Sequence, residues 1–297
     1  RWNRMEVGPF LASNLEIGGR SVMKALSLRV GEGSFATVAF DTEHCVVRGG
    51  WTGGFLRFDP ARFGLLNAPK MAGELEFAAS PVVGWLGAKP RYTGLHQGAS
   101  RPVLEYQVDE TRVLDAPWME TRSGRQVFVR ALEFGPRAST RRLVLADKAA
   151  GASAFQQTDF RGWTITTATD QAHFASRGEG ADLVVEDGHL VLRISPGREP
   201  VRCQLLQWKS AAEQGNEREA VISGIEPMED LSAMMRPGPA RWLPELSTVG
   251  QRALDTDYLV TDTLTAPYAN PWNALMFLAG VDFTAPDTAY VCTLHGD

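Results

Sequence analysis

Short runs of alternating apolar and polar residues, cut by Gly and Pro, fill most of the chain. Val22, Leu26, Leu28 and Val30 share one parity, and after a turn at Gly31-Glu32-Gly33 the run Phe35 to Phe40 completes a predicted hairpin. Further strands are predicted at Cys45 to Val47, Gly54 to Phe58, Val103 to Val108, Thr111 to Leu114, Val127 to Phe134 and Arg142 to Leu145. The same texture resumes at Trp163 to Thr167, His173 to Ala175, Leu183 to Val185, Leu190 to Ile194 and Val201 to Trp208. Asp187-Gly188 predicts a tight hairpin turn, because both residues tolerate positive φ.

Helical periodicity is scarce. Lys209 to Glu219, polar and rich in Ala, Glu and Gln, predicts a short surface helix or a loop. Between Glu226 and Pro244 the composition shifts to Pro, Met and Gly, and Pro227, Pro237, Pro239 and Pro244 remove backbone donors from any ladder. The pattern therefore predicts an all-β fold, an antiparallel two-sheet sandwich over residues 8–225 with a Pro-rich C-terminal extension. In that extension, residues 226–265 form a linker or wrapping segment, followed by a separate piece at 266–297.

Composition agrees with a packed globular chain: 297 residues, 44% hydrophobic and 22% charged. The formal charge is −5 and basic residues are scattered, so no patch is suited to neutralising a run of phosphates, and a nucleic-acid partner is not expected. No apolar stretch reaches the roughly 18 residues a membrane-spanning helix needs. The sequence opens on Arg1 without a charged, then apolar, leader and reads as an excised or processed segment. Cys45, Cys203 and Cys292 allow one disulfide and one leftover thiol, with the pairing left open.

Signatures whose spacing encodes a reaction are missing from the sequence. It has no G-x-S-x-G elbow, no H-E-x-x-H helix, no G-K-[ST] phosphate loop, no EF-hand loop and no C-x-x-C-H haem site. Cys292 with His295, and His44 beside Cys45, fall short of the four regularly spaced ligands of a closed zinc site. No catalytic or metal-ligating residue is assigned. Asp255, Asp257 and Asp262 offer oxygens to a hard cation, or simply face solvent from a strand.

The densest unusual segment is Arg48 to Pro60, where four Gly surround Trp51 and where Arg48, Arg57 and Asp59 bring charge beside an aromatic ring. That combination suits a sugar platform, and it equally suits a packed core corner, since a buried Trp is justified by its area alone. Tyr92 and His96 gather with Arg91 and Gly94 in a predicted loop, and His96 is the most interesting of the five His for acid/base work. The ligand-binding candidates are thus Trp51, Arg48, Arg57, Asp59, Tyr92 and His96. Eight Trp, among them Trp2, are many for this length and serve either as stacking surfaces or as core.

The motifs GPFLAS (8–13), FDTEHCVVRGGWTGGFLRF (40–58), LEYQVDETRVLDAP (104–117) and PYANPWNALMFLAGVDF (267–283) resemble a family of large secreted bacterial proteins. In that family a β-rich N-terminal region precedes a sorbosone-dehydrogenase-like β-propeller and often a c-type cytochrome segment. The resemblance implies a periplasmic or extracellular setting and carbohydrate oxidation by the complete polypeptide. It further implies that residues 266–297 are the truncated start of the propeller, and that haem or quinone belongs to downstream domains, with no cofactor in this chain. The function expected is a non-catalytic accessory domain whose partners are a glycan and the downstream propeller and cytochrome domains. The alternative is a carbohydrate-active enzyme, glycosidase-like or lyase-like, using scattered acidic residues and His96.

Overall fold

The computed structural model describes residues 6–61, 66–98, 101–147, 151–167, 169–211, 217–228, 230–240, 242–256, 258–274 and 276–293. Trp2, Asp257 and His295 lie outside them. The first strands are β1 (Phe10–Ile17), β2 (Arg20–Val30), β3 (Ala36–Asp41), β4 (Val46–Thr52), β5 (Leu56–Arg57), β6 (Lys70–Met71) and β7 (Glu74–Ala78). They are followed by β8 (Gly84–Trp85), β9 (Pro90–Gln97), β10 (Pro102–Val108), β11 (Thr111–Arg122), β12 (Arg125–Phe134) and β13 (Arg141–Ala146). Next come β14 (Ser153–Gln157), β15 (Phe160–Thr166), β16 (Asp170–Arg177), β17 (Ala181–Glu186), β18 (His189–Ile194) and β19 (Val201–Ala211). Among the described residues, two short α-helices, α1 (Glu217–Ile222) and α2 (Leu231–Met234), a 3-10 turn at Glu32–Ser34, and a hairpin of β20 (Leu278–Ala285) and β21 (Thr288–Thr293) complete the set.

The all-β class is as the alternation predicts, but the strands make three main sheets rather than two. Seven strands order as β5-β6-β1-β2-β3-β4-β7, eight as β14-β15-β16-β19-β12-β11-β10-β9, and four as β17-β18-β13-β8. One face of the eight-stranded sheet shares a single core with both of the others. That core joins Leu26, Leu28 and Val38 to Phe128, Leu132 and Phe134, and these in turn to Leu143, Leu190 and Leu192. The third sheet exists because two paired strands change sheet together. β12 pairs with β19 up to Phe134 and Val201, and β13 pairs with β18 from Arg141 and Ile194. Pro136 and Pro196 interrupt the ladder between these two stretches, where neither can donate a backbone hydrogen bond.

Arg137 fastens this corner. Its backbone bridges Gly197, while Nε donates to the Ser195 carbonyl at 2.6 Å and Nη1 to the Gly135 and Glu199 carbonyls at 2.8 and 3.3 Å. The turn at Asp187-Gly188 forms as predicted, with φ of 48° and 76° and the pair Glu186–His189 closing the hairpin. Lys209 to Ala211 extend β19 instead of starting a helix, because Gln171 and Ser210 remain in register and the Ser210 hydroxyl meets His173 Nε2 at 2.8 Å.

The second face of the eight-stranded sheet is covered by the helices. Val127, Val129, Leu206 and Trp208 lie under Val221 and Ile222 of α1. Val103, Leu114, Ala116 and Ala131 lie under Leu231 and Met234 of α2, whose first turn is capped by Asp230. Part of the Pro-rich segment expected to be a linker or a wrapping segment is therefore docked on the eight-stranded sheet. Beyond residue 242 the character changes: Leu254, Tyr258, Leu264, Val281, Phe283 and Val291 are exposed.

At the centre of the shared core sits an ion pair. Asp115 of β11 is fully buried, and Arg130 of β12 holds it through Nε and Nη2, with the Tyr106 hydroxyl 3.4 Å from the same carboxylate. Burial disfavours the guanidinium charge, but Asp115 more than offsets this and raises the Arg130 pKa. Asp115→Ala should leave that cation unpaired and cost about 3–5 kcal/mol in urea unfolding, whereas replacing both residues by Leu and Met should recover most of the loss.

Candidate functional site

A cleft of about 760 Å³ opens where the three sheets meet. Its apolar wall combines Val38, Val47 and Phe77 of the seven-stranded sheet, Phe128, Phe174 and Leu205 of the eight-stranded sheet, and Leu143 of the four-stranded sheet. Charged and polar residues stand among them: Asp41, His44, Arg48, Ser80, Arg130, Asp147 and Lys209. Such a mixture of apolar surface and a few convergent polar groups is the usual make-up of a small-molecule site.

The polar cluster is built by the end of β3. Asp41 closes the strand and turns its carboxylate back on the Asp41-Thr42-Glu43-His44 turn, accepting from the backbone N–H groups of Glu43 and His44 at 3.0 and 3.1 Å. Its other oxygen meets His44 Nδ1 and Arg48 Nε, both at 2.9 Å. Burial works against the Asp41 charge, but the hydrogen bonds from Arg48 and the His44 backbone prevail and hold the carboxyl below its usual range. His44 is thereby oriented through Nδ1 while its ring stays 58% exposed. Arg48 is braced a second time, by Nη1 donating to the Val83 carbonyl at 3.0 Å, and Ser80 Oγ donates to Asp147 at 2.8 Å.

Of the six ligand candidates read from the sequence, Arg48 alone lines this cleft. Strand alternation splits the segment that looked like one platform. Trp51 points to the opposite face of the seven-stranded sheet, fully buried with Leu15, Ile17, Val22 and Ala39, and its Nε1–H donates to the Phe55 carbonyl at 2.8 Å. Its ring therefore offers no face to a sugar, and the core alternative describes it. The adjoining glycines serve packing: a Cβ on Gly50 would lie 2.6 Å from the rings of Phe77 and Phe128, and one on Gly49 would lie 2.5 Å from Ile17.

Arg57 is exposed on β5, and Asp59 organises its own loop through the Ala61 N–H and Asn67 Nδ2, each at 2.6 Å. Those two hydrogen bonds lower the Asp59 pKa. Tyr92 and His96 lie in strand β9 rather than a loop and face opposite sides of it. Tyr92 packs on the core with its ring 6.3 Å from Phe40, and burial raises its pKa. His96 Nε2 meets Glu105 at 2.7 Å, in a row completed by Arg112 at 2.6 Å, and the Arg112 hydrogen bond leads those that lower the Glu105 pKa. Asp262 caps the Ala253 N–H at 3.0 Å.

The three cysteines are free. Burial first, then the nearby Asp41 and Asp115 charges, push the Cys45 thiol up to about 12. Burial likewise pushes Cys203 up to about 12, with Arg130 opposing. Among the described residues, no group of three or more His, Cys, Asp or Glu side chains is placed to hold a metal ion, and no helix is long and apolar enough to cross a membrane.

Residues 38–115 match a family described as a domain of unknown function, DUF6797. The matched stretch runs from β3 into β11 and includes Asp41, His44, Arg48 and Asp115. No curated protein matches the chain. A solved structure described as a candidate kojibiose phosphorylase from human microbiome aligns with 78% of this chain at 10% identity and a TM-score of 0.25. The chain spans 32% of that protein's length.

Two outcomes follow from this geometry. Trp51→Ala should destabilise the fold by about 3–5 kcal/mol, read as a clear drop in melting temperature, because a fully packed ring and its hydrogen bond are lost. Iodoacetamide at pH 8 should label the exposed Cys292 in the native protein and reach Cys45 and Cys203 only after unfolding, as intact-mass spectrometry will report.

Proposed function

We propose that this chain is a non-catalytic carbohydrate-recognition domain, which holds a glycan in the cleft between its three sheets. The observation that carries the reading is the cleft itself: Phe77, Phe128 and Phe174 stand in its apolar wall, and His44, Arg48 and Lys209 bring hydrogen-bond donors to the same space. Pyranose rings present just this pairing of apolar C–H faces and oxygen acceptors. The setting is an exported, periplasmic or extracellular, sugar-oxidising polypeptide, a reading supported by the motif resemblance. In that setting the domain would deliver or retain substrate for neighbouring propeller and cytochrome domains.

One observation favours a second reading, a carbohydrate-active enzyme. Asp41 orients His44 through Nδ1, leaving Nε2 available at the cleft, which is the arrangement of a general base. His96, engaged with Glu105 on the far side of β9, is replaced by His44 in that role.

A glycan array followed by calorimetric titration tests the proposal. The wild-type protein should bind at least one glycan without consuming it, and Arg48→Gln or His44→Ala should weaken that binding at least tenfold. Absence of any binding, or binding indifferent to both substitutions, would overturn the recognition reading. Turnover of a bound glycan that His44→Ala abolishes would establish the enzyme instead.

A further inference from the structure

We infer that the cleft selects an acidic sugar, a uronate whose carboxylate docks on Arg130; the inference rests on the cleft being a sugar site. Arg130 lies at the cleft with its side chain only 11% exposed. Asp115 occupies one edge of its guanidinium, taking Nε and one Nη2 hydrogen. Both hydrogens of Nη1 and the second hydrogen of Nη2 have no partner among the described residues. These make up the end-on fork of the guanidinium, whose two parallel N–H groups match the two oxygens of a carboxylate.

A nearly buried cation with an intact fork is an unusual thing to leave open. An N–H group that loses water without gaining an acceptor is costly, so the fork calls for a ligand oxygen whenever the cleft is filled. Asp115 serves a second purpose here, because it locks the guanidinium plane and so orients the free fork before any ligand arrives.

The remaining donors and acceptors of the cleft point the same way. Arg48 uses Nε on Asp41 and Nη1 on Val83, which leaves Nη2 without a partner. Lys209 makes no hydrogen bond or ion pair among the described residues. The acidic residues of the same lining are already engaged: Asp41 accepts four hydrogen bonds, Glu43 pairs with Lys24, and Asp147 holds Ser80. What the cleft has to offer a newcomer is thus mainly cationic N–H, beside an apolar wall for the ring.

The test compares three ligands of one shape on the full chain: an oligogalacturonate, its methyl ester, and the neutral galactose oligomer. The acid should bind at least tenfold more tightly than the ester or the neutral sugar. Arg130→Lys, which keeps the charge beside Asp115 but removes the fork, should erase that preference. Lys209→Met, at an exposed position, should reduce it severalfold without altering the fold. Equal binding of acid and ester would overturn the inference and leave the sugar site standing. Failure of all three sugars, together with a blank glycan array, would remove the site and the inference with it.

Discussion

The contact between Arg130 and Asp115 constrains everything around it. Two charges are placed on the inward faces of neighbouring strands, under the junction of three sheets, and each is tolerable there only because of the other. The pair also fixes register. β11 and β12 run antiparallel with Asp115 opposite Leu132 and Pro117 opposite Arg130, and a slip of one residue between them would put the two charges on opposite faces of the sheet, each without its partner. Tyr106 on β10 adds its hydroxyl to the same carboxylate, so three consecutive strands of the eight-stranded sheet are indexed to one point. The cleft lies against that point and is lined by Arg130, the member of the pair whose remaining donors have no partner among the described residues.

Much of the strand pattern was legible in the sequence. Val22 to Val30, Val103 to Val108 and Val127 to Phe134 read as strands because half-buried antiparallel strands alternate, and Asp187-Gly188 announced its hairpin through the backbone angles its residues permit. The third sheet was not legible as such. The strands ending at Phe134 and Ile194 are each followed by a Gly or Ser and a Pro, and only the bridge between Arg137 and Gly197 turns two strand ends into a single corner.

The site was the harder part, and the reason is the two-residue period of a strand. Arg48 and Trp51 are three apart on β4 and so belong to opposite faces, which divides a segment that looks continuous in sequence. Signals for the actual cleft were present in a different form. An Arg at position 130 shares the parity of Phe128, Leu132 and Phe134, and an Asp at position 115 shares that of Val113 and Met119. A charge on an inward parity demands a partner, and that demand is visible without coordinates. Asp41 followed by His44 is likewise the spacing of a strand end folding onto its own turn.

The corner held by Arg137 joins two walls of the cleft. Because β12 with β19 and β13 with β18 are continuous chain, the eight- and four-stranded walls behave as one bent ribbon whose angle is set at Pro136 and Pro196. The remaining wall comes from residues 10–78, a separate stretch that packs against the ribbon without sharing a strand with it. Arg48 travels with that wall and Arg130 with the ribbon. One wall of the cleft is thus joined to its neighbour by connectivity and the other is seated by packing, so the two guanidinium groups that face the same space belong to parts of the chain with no strand in common.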